Sequence, residues 1–281
     1  MQYSQENGHI IVKNVPCLSL DLTLDCGQAF RWEKNNGIWS AVVKDKYIEV
    51  SQSPDLKTLT FYNTSLEDFE KIWVKYFDLE RDYDKYLEVL KQDTNIACAI
   101  DEFYGIRILR QDPWETICSF IISQNNNIPR IKGIIDRLCE SFGSPIKAKD
   151  GQIRYSFPTP ECLVGLTVED LAPLRAGFRA KYILDAAKKI SDGTVNMDKI
   201  FGLSLDKAEE ELIKVKGIGK KVAQCSLLYG FNMLDAFPED VWVKRIMSEM
   251  YPNGLPTCTK NIRGIAQQYL FHWRRNSAIF N

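Results

Sequence analysis

V-K-G-I-G-K-K-V-A-Q-C, Val215 to Cys225, is the stretch on which the fold turns. Gly217-Ile218-Gly219 makes a two-glycine turn between two runs with helical periodicity. The first is L-D-K-A-E-E-E-L-I-K-V (Leu205 to Val215), and the second opens K-V-A-Q-C-S-L-L-Y-G at Lys221. Glycine lets the chain turn tightly and lets another molecule come close to the backbone. The amides opening the second helix point outward with the positive end of the helix dipole behind them, which suits a phosphate. Lys221 sits in that first turn, where cations are disfavoured, and a lysine that gives up its proton is a nucleophile. Nineteen residues later, Pro238-Glu239-Asp240 places a carboxylate at the head of V-W-V-K-R-I-M. A G-x-G turn alone is a common connector. Hairpin, lysine, small-residue helix (Ala223, Cys225, Ser226), turn and acid together form a package.

Away from the hairpin the periodicity changes once. Residues 9–62 read as short strands: H-I-I-V-K-N-V, Q-A-F-R-W-E-K, G-I-W-S-A-V-V-K, K-Y-I-E-V-S and T-L-T-F-Y. Asn35-Asn36-Gly37 and Lys44-Asp45-Lys46 fit hairpin turns, so the sheet is antiparallel. From Ser65 onward the pattern is helical. Ser65 to Asp68 is a capping box before F-E-K-I-W-V-K-Y-F, and Asp112-Pro113 caps and opens W-E-T-I-C-S-F-I-I-S. Residues 128–142, 179–190, 205–216, 219–230, 239–250 and 259–273 continue as helices. Ser141 to Pro160 is one long loop with room for a small hairpin. The expected fold is α+β: an N-terminal antiparallel sheet domain with flanking helices over residues 1–100, then a helical body over 101–281 with its hairpin at 205–230.

A chain of 281 residues with 45% apolar content and no eighteen-residue apolar run reads as soluble and globular, with no membrane partner. The opening M-Q-Y-S-Q-E-N-G-H has no basic region followed by an apolar core, so secretion is not expected; a bacterial cytosol or nucleoid, or a nucleus, is. The net charge of −1 gives no hint of nucleic acid, but its distribution does. Residues 1–100 carry 11 basic and 16 acidic groups, and residues 101–281 carry 25 and 21. Lys214, Lys216, Lys220 and Lys221 crowd the hairpin, and Arg175, Arg179, Lys181, Lys188 and Lys189 form a second basic stretch. Such runs are explained by a solvated helix face or by phosphate contact. Eight scattered cysteines without a C-x-x-C pair, and two histidines, give no metal signature; neither metal nor cofactor is expected.

The hairpin–lysine–aspartate package resembles the helix-hairpin-helix-GPD superfamily of DNA glycosylases. Glu239 and Phe237 depart from its Gly-Pro, and Lys216 stands where the family usually has proline before the first hairpin glycine. Endonuclease-III-type relatives carry four clustered cysteines after the aspartate, whereas only Cys258 follows Asp240 here. Four further strings are similar to the 8-oxoguanine DNA glycosylases within that superfamily. They are D-C-G-Q-A-F-R-W (Asp25 to Trp32), S-Q-N-N-N-I-P-R-I (Ser123 to Ile131), A-G-F-R-A-K-Y (Ala176 to Tyr182) and G-I-A-Q-Q-Y-L-F (Gly264 to Phe271). With the hairpin they span residues 25 to 271 in the family's order.

The resemblance implies a bifunctional glycosylase and abasic-site lyase, acting as a monomer on duplex DNA that contains 8-oxoguanine, preferably opposite cytosine. Such an enzyme flips the nucleotide out of the stack. Lys221 is then the Schiff-base nucleophile, and Asp240 orients the site and stabilises positive charge on the sugar. The Gly27 carbonyl reads the N7 proton of the lesion, Phe271 and Cys225 sandwich the base, and Gln267 meets its Watson–Crick edge. Asn125 fills the vacated gap, Arg130 and Arg179 donate to the orphaned cytosine, and Phe178 wedges beside it. Gly217, Gly219, Val222 and Trp242 contact phosphates; Trp242 stands where animal members have a histidine. Taken by residue type alone, Phe271 and Cys225 are core residues. Two alternatives stay open: a superfamily glycosylase for another damaged base, and a non-enzymatic helix-hairpin-helix DNA-binding protein. The first sits poorly with Lys221, which monofunctional alkyl-base members lack. The second has no use for Gln267 and Phe271.

Overall fold

A six-stranded sheet, a small two-stranded one and a helical remainder account for the secondary structure of this computed structural model, which describes residues 1–148 and 151–280. Lys149 and Asp150, within the loop expected between Ser141 and Pro160, lie outside the described residues, as does Asn281. The six strands are β1 (Gln2–Glu6), β2 (His9–Lys13), β3 (Glu33–Asn35), β4 (Ile38–Val43), β5 (Lys46–Gln52) and β6 (Thr58–Tyr62), in the sheet order β1-β2-β6-β5-β4-β3. The second sheet pairs β7 (Pro145–Lys147) with β8 (Ile153–Tyr155), the small hairpin expected in the long loop. The chain divides into two compact units that do not follow one cut in the sequence. Unit 1 is Met1–Gln28, Val50–Arg110 and Asn232–Asn281; unit 2 is Ala29–Glu49 and Gln111–Phe231.

In unit 1 the pleat decides what is buried. Ile10 and Val12 of β2 face inward opposite Phe61 and Leu59 of β6, and all four are essentially inaccessible to solvent. The Phe61 ring meets Phe69 at 5.2 Å and Phe77 at 5.5 Å, so the helical segment opened by Ser65 covers this face. Each such side chain contributes roughly 1.5–3 kcal/mol by leaving water. The Ser65 hydroxyl accepts from the Asp68 amide at 3.0 Å, the first half of the expected capping box. The segment then widens into a π-helical turn over Phe69–Trp73. Arg107, fully buried, donates to the carbonyls of Cys17 at 2.9 Å, Asp78 at 2.5 Å and Pro16 at 2.6 Å and stacks over Tyr83.

The structure corrects two expectations for residues 9–62. Leu20–Leu24 is a short helix capped by the Ser19 hydroxyl. The strand expected over Gln28–Lys34 shrinks to Glu33–Asn35. The apolar alternation there reflects loop burial. Gln28, fully buried, donates to the carbonyls of Thr23 at 2.9 Å and Arg107 at 2.7 Å and accepts from the Leu109 amide at 2.8 Å, which holds its stretch out of any ladder. The last helix also runs later than expected, over Arg263–Asn276.

Unit 2 is built on caps and helices. Asn36 (φ 49°) and Gly37 (φ 81°) form the two-residue turn between β3 and β4, with the left-handed pair of conformations that an Asn-Gly hairpin uses. Asp112 caps the Pro113–Ser123 helix through the Glu115 amide at 3.0 Å. That helix runs beside the second hairpin helix, Lys220–Tyr229; a side chain on Gly230 would meet Pro113 Cα at 3.0 Å. Burial pushes the Glu115 carboxyl up to about 7, against the pull of the Arg31 guanidinium 3.5 Å away.

His272 of unit 1 gives this fold a pH signature. Burial, followed by the Arg275 charge, lowers its imidazole from 6.5 to about 4, and it packs edge-on against Phe103 at 4.6 Å. A base whose folded value is depressed stabilises the fold above its unfolded value and loses that contribution as pH falls towards the folded value. His272 should therefore subtract stability between pH 6.5 and 4, opposing the stability that the raised Glu115 carboxyl adds as pH falls from 7 to 4.5, and His272→Phe should remove that loss from the slope. Chemical denaturation at pH 7, 5.5 and 4.5 measures it; an unchanged slope in the variant would assign the acid lability elsewhere.

Candidate functional site

The hairpin's geometry begins at Gly217, whose φ of +83° only glycine adopts without strain. A Cβ there would also lie 2.3 Å from the Tyr182 ring, so the tyrosine occupies the space a side chain would need. The Ile218 amide closes the turn on the Val215 carbonyl at 3.1 Å. Gly219 differs in both respects. Its φ of −99° is ordinary, it is exposed, and a Cβ there would meet nothing within 4 Å. The fold does not demand that glycine, so the open space over the helix start is available to another molecule. Gly219 caps the Lys220–Tyr229 helix, whose first amides carry the dipole's positive end. Glu209 of the Leu205–Ile213 helix accepts from the Gln224 amide, tying the two hairpin helices together.

The two lysines that open this helix have different surroundings. Lys220 is exposed, whereas Lys221 is half-buried with Nζ 5.5 Å from the centre of the Phe120 ring. Phe120 in turn stacks on Tyr229 at 5.4 Å and meets Phe30 edge-on at 5.7 Å. An ammonium over an aromatic face is attracted by the ring. Val222 and Cys225, further along the same helix, are buried.

The asparagine run divides its labour. Asn127 caps the Ile128–Phe142 helix through the Arg130 amide at 3.0 Å, and Asn126 reaches back to the Ile122 carbonyl at 3.1 Å. Asn125 is exposed in a left-handed conformation, φ +46°. Arg179 holds it there. Nearly inaccessible to solvent, Arg179 donates to the carbonyls of Gln124 at 2.9 Å, Asn125 at 3.0 Å and Ala176 at 3.2 Å. Burial, and then the Arg130 charge, lower its guanidinium from the ordinary arginine value. Arg130 itself is exposed. Phe178, 47% exposed, is braced by the Arg179 guanidinium 4.5 Å from its ring centre and by Tyr182 edge-on at 5.9 Å.

Unit 1 brings Gly27, Gln267 and Phe271 to one region. Gly27 has φ +82°, and its missing Cβ would lie 3.9 Å from the Phe271 ring. The Gln268 amide donates to the Cys26 carbonyl at 3.1 Å, fixing this loop to the Arg263–Asn276 helix. Gln267 is buried, and Phe271 is half-buried one turn later, beneath the Arg275 guanidinium at 6.0 Å. Asp240 caps the Val241–Met250 helix, its Oδ1 accepting from the Val243 amide at 2.8 Å. Trp242 lies half-buried under the Arg245 guanidinium, 5.1 Å from its ring centre. Sequence reasoning missed Gln28, which shapes the Gly27 loop, and Tyr182, which fills the glycine's place. Gln28 reads as an ordinary strand residue, and the Tyr182 contact needs the helix face. Among the described residues no cluster of His, Cys, Asp or Glu is placed to hold a metal, and no helix is long and apolar enough to cross a membrane.

Comparison with known proteins settles the lineage. Residues 118–272 match the HhH-GPD superfamily of base excision DNA repair proteins, and residues 10–117 match the N-terminal domain of 8-oxoguanine DNA glycosylase. The chain belongs to that superfamily. The N-glycosylase/DNA lyase of Saccharomyces cerevisiae is 34% identical over 83% of this chain and 68% of its own length. Among solved structures, MBOgg1 in complex with a low-affinity DNA ligand is 42% identical with a TM-score of 0.91, over 98% of this chain and 99% of that one. The Clostridium acetobutylicum 8-oxoguanine glycosylase/lyase, bound to duplex DNA with cytosine opposite 8-oxoguanine, is 37% identical with a TM-score of 0.91, over 98% of both chains.

The two hairpin glycines should separate stability from binding. Gly217→Ala should destabilise by about 1–3 kcal/mol, from strain and from the clash with Tyr182. Gly219→Ala should cost under about 1 kcal/mol and yet weaken duplex DNA binding. Thermal melts and fluorescence anisotropy check both, and equal affinity in Gly219→Ala would mean that the open space is unused.

Proposed function

We propose that this chain excises 8-oxoguanine from duplex DNA by flipping the lesion out and attacking its sugar with Lys221. The observation that carries this reading is the contrast at the hairpin. The glycine that the fold needs (Gly217) is followed by one it does not need (Gly219), two residues before a lysine held apart from its exposed neighbour. A phosphate fits over Gly219 and the first amides of the helix, near Val222, and anchors the damaged strand within reach of Lys221. Nζ forms a bond to the sugar C1′ while the bond from C1′ to the base nitrogen breaks, its electrons leaving with the base, which takes up a proton. Opening of the sugar ring gives a protonated imine. That imine acidifies the C2′ hydrogen, and β-elimination then expels the 3′ phosphate, the lyase step. Asp240 orients the reacting sugar and offsets its positive charge.

The lesion differs from guanine at N7, where an acceptor becomes a donor. The Gly27 carbonyl takes that proton, and an undamaged base would set acceptor against acceptor. Phe271 and Cys225 stack on the flipped base, and Gln267 meets its pairing edge. Asn125, already left-handed and exposed, fills the gap in the stack, and Phe178 wedges beside the orphaned cytosine. Arg130 and Arg179 donate to cytosine O2 and N3, with Arg179 giving up a loop carbonyl to do so. Trp242 supplies an indole N–H to a phosphate. In this reading the sheet region over 1–100 helps read the lesion, the helical region over 101–281 carries the chemistry, and the protein acts as a monomer wherever its cell keeps DNA.

Excision assays on 8-oxoguanine duplexes test the reading. Wild type should be faster opposite cytosine than opposite adenine, and Arg130→Ala should shrink that preference by about one order of magnitude, the worth of a lost bidentate contact. Equal wild-type rates would confine the arginines to the backbone. Asp240→Asn should lose activity steeply at nearly unchanged melting temperature, since asparagine caps a helix as well as aspartate does. If activity and melting temperature collapsed together, Asp240 would be a cap alone.

A further inference from the structure

Lys216 poses a question that the proposed function leaves open. The resemblance implies a proline before the first hairpin glycine, a residue with fixed φ and no amide proton. Lysine has neither property, so this chain must restrain the turn by other means and satisfy an extra N–H. Both needs are met from one face of the Ala180–Ser191 helix. Asp185 Oδ2 accepts from the Lys216 amide at 2.7 Å and pairs with Lys189 Nζ at 2.9 Å. Lys189 extends on to the Lys214 carbonyl at 2.5 Å. Tyr182, one turn before Asp185, lies against Gly217. The Asp185 side chain is 14% exposed and that of Lys189 23%, which sets the pair apart from solvated surface pairs.

We propose that Asp185, with Lys189 and Tyr182, is a positioning residue that takes the place of the family's proline and holds residues 214–217 in the conformation that presents the helix amides to a DNA phosphate. The proposal rests on the DNA-binding part of the proposed function. Tyr182 extends the device further. Its ring also meets Phe178 at 5.9 Å, so the support that sets the hairpin also braces the aromatic proposed to sit beside the orphaned base.

The test is a rescue. Full-length wild type, Asp185→Ala, Asp185→Asn, Lys216→Pro and the double variant Asp185→Ala/Lys216→Pro are compared on an 8-oxoguanine:cytosine duplex. Three quantities are read: the Kd, the single-turnover excision rate at saturating protein, and the melting temperature. Asp185→Ala should raise the Kd about tenfold and leave the saturating rate within about twofold. Asp185→Asn keeps an acceptor for the Lys216 amide but loses the charge that holds Lys189, and should fall between. Adding Lys216→Pro to Asp185→Ala should restore the Kd, because proline supplies the restraint and removes the orphaned N–H. An unchanged Kd in Asp185→Ala overturns the proposal, as does a loss that tracks melting temperature and that proline does not rescue. If Asp185→Ala does not fold, the double variant must fold and bind like wild type, and its failure would overturn the proposal equally. Failure of wild type to act on 8-oxoguanine would sink the functional reading instead, and the Kd ranking on undamaged duplex would still read the clamp.

Discussion

A tyrosine ring standing where a side chain would be is the constraint that organises the hairpin. Gly217 turns the chain at φ +83° with Tyr182 filling the space beside it, so the turn is fixed by contact on one side and by backbone conformation on the other. Three features depend on that fixture. The second hairpin helix starts at a defined place, its free amides face open space over Gly219, and Lys221 rather than Lys220 packs over Phe120. The proposed nucleophile, Lys221, must sit within a fraction of an ångström of its target to be useful. A hairpin that slid or frayed would lose that before it lost stability.

The Gly27 loop of unit 1 follows the same logic with different materials. No ladder holds Asp25 to Trp32; the Gln28 amide does, by committing its hydrogen bonds to the backbone of Thr23, Arg107 and Leu109. Buried amides satisfied in this way specify one conformation, because leaving any of them unpaired costs about 1–3 kcal/mol. The Gly27 carbonyl, proposed to read a single proton on a base, would need that rigidity. Phe271 next to Gly27, and Gln268 bonded to Cys26, fix the carbonyl's surroundings from the Arg263–Asn276 helix.

Much of this was legible in the sequence, and the exceptions share a cause. Features written in local chemistry came through: Ser65 and Asp112 as caps, Asn36-Gly37 as a hairpin turn, the small hairpin of the long loop, and both hairpin helices. Gln28 to Lys34 did not, because its apolar alternation looks like a strand while its geometry is set by partners some eighty residues away. In the sequence Lys189 is one of a basic stretch, and nothing local couples Asp185 to the hairpin some thirty residues on. Only the fold shows that the pair grips the backbone of Lys214 and Lys216. Arg179 was read as a guanidinium for a base, a role that belongs to the proposal, whereas its bracing of the Asn125 loop is visible only in the fold. The family resemblance named positions, and the structure supplies the reasons that Lys221 differs from Lys220 and Gly219 from Gly217.

The proposed chemistry turns on one nitrogen atom, Nζ of Lys221. Borohydride reduction of the protein acting on an 8-oxoguanine:cytosine duplex, followed by proteolysis and mass spectrometry of the crosslinked peptide, reads that atom directly. The sugar remnant is expected on Lys221 alone, and Lys221→Gln should give no crosslink while still binding the duplex. A remnant on Lys220, or a crosslink that persists in Lys221→Gln, would contradict the account.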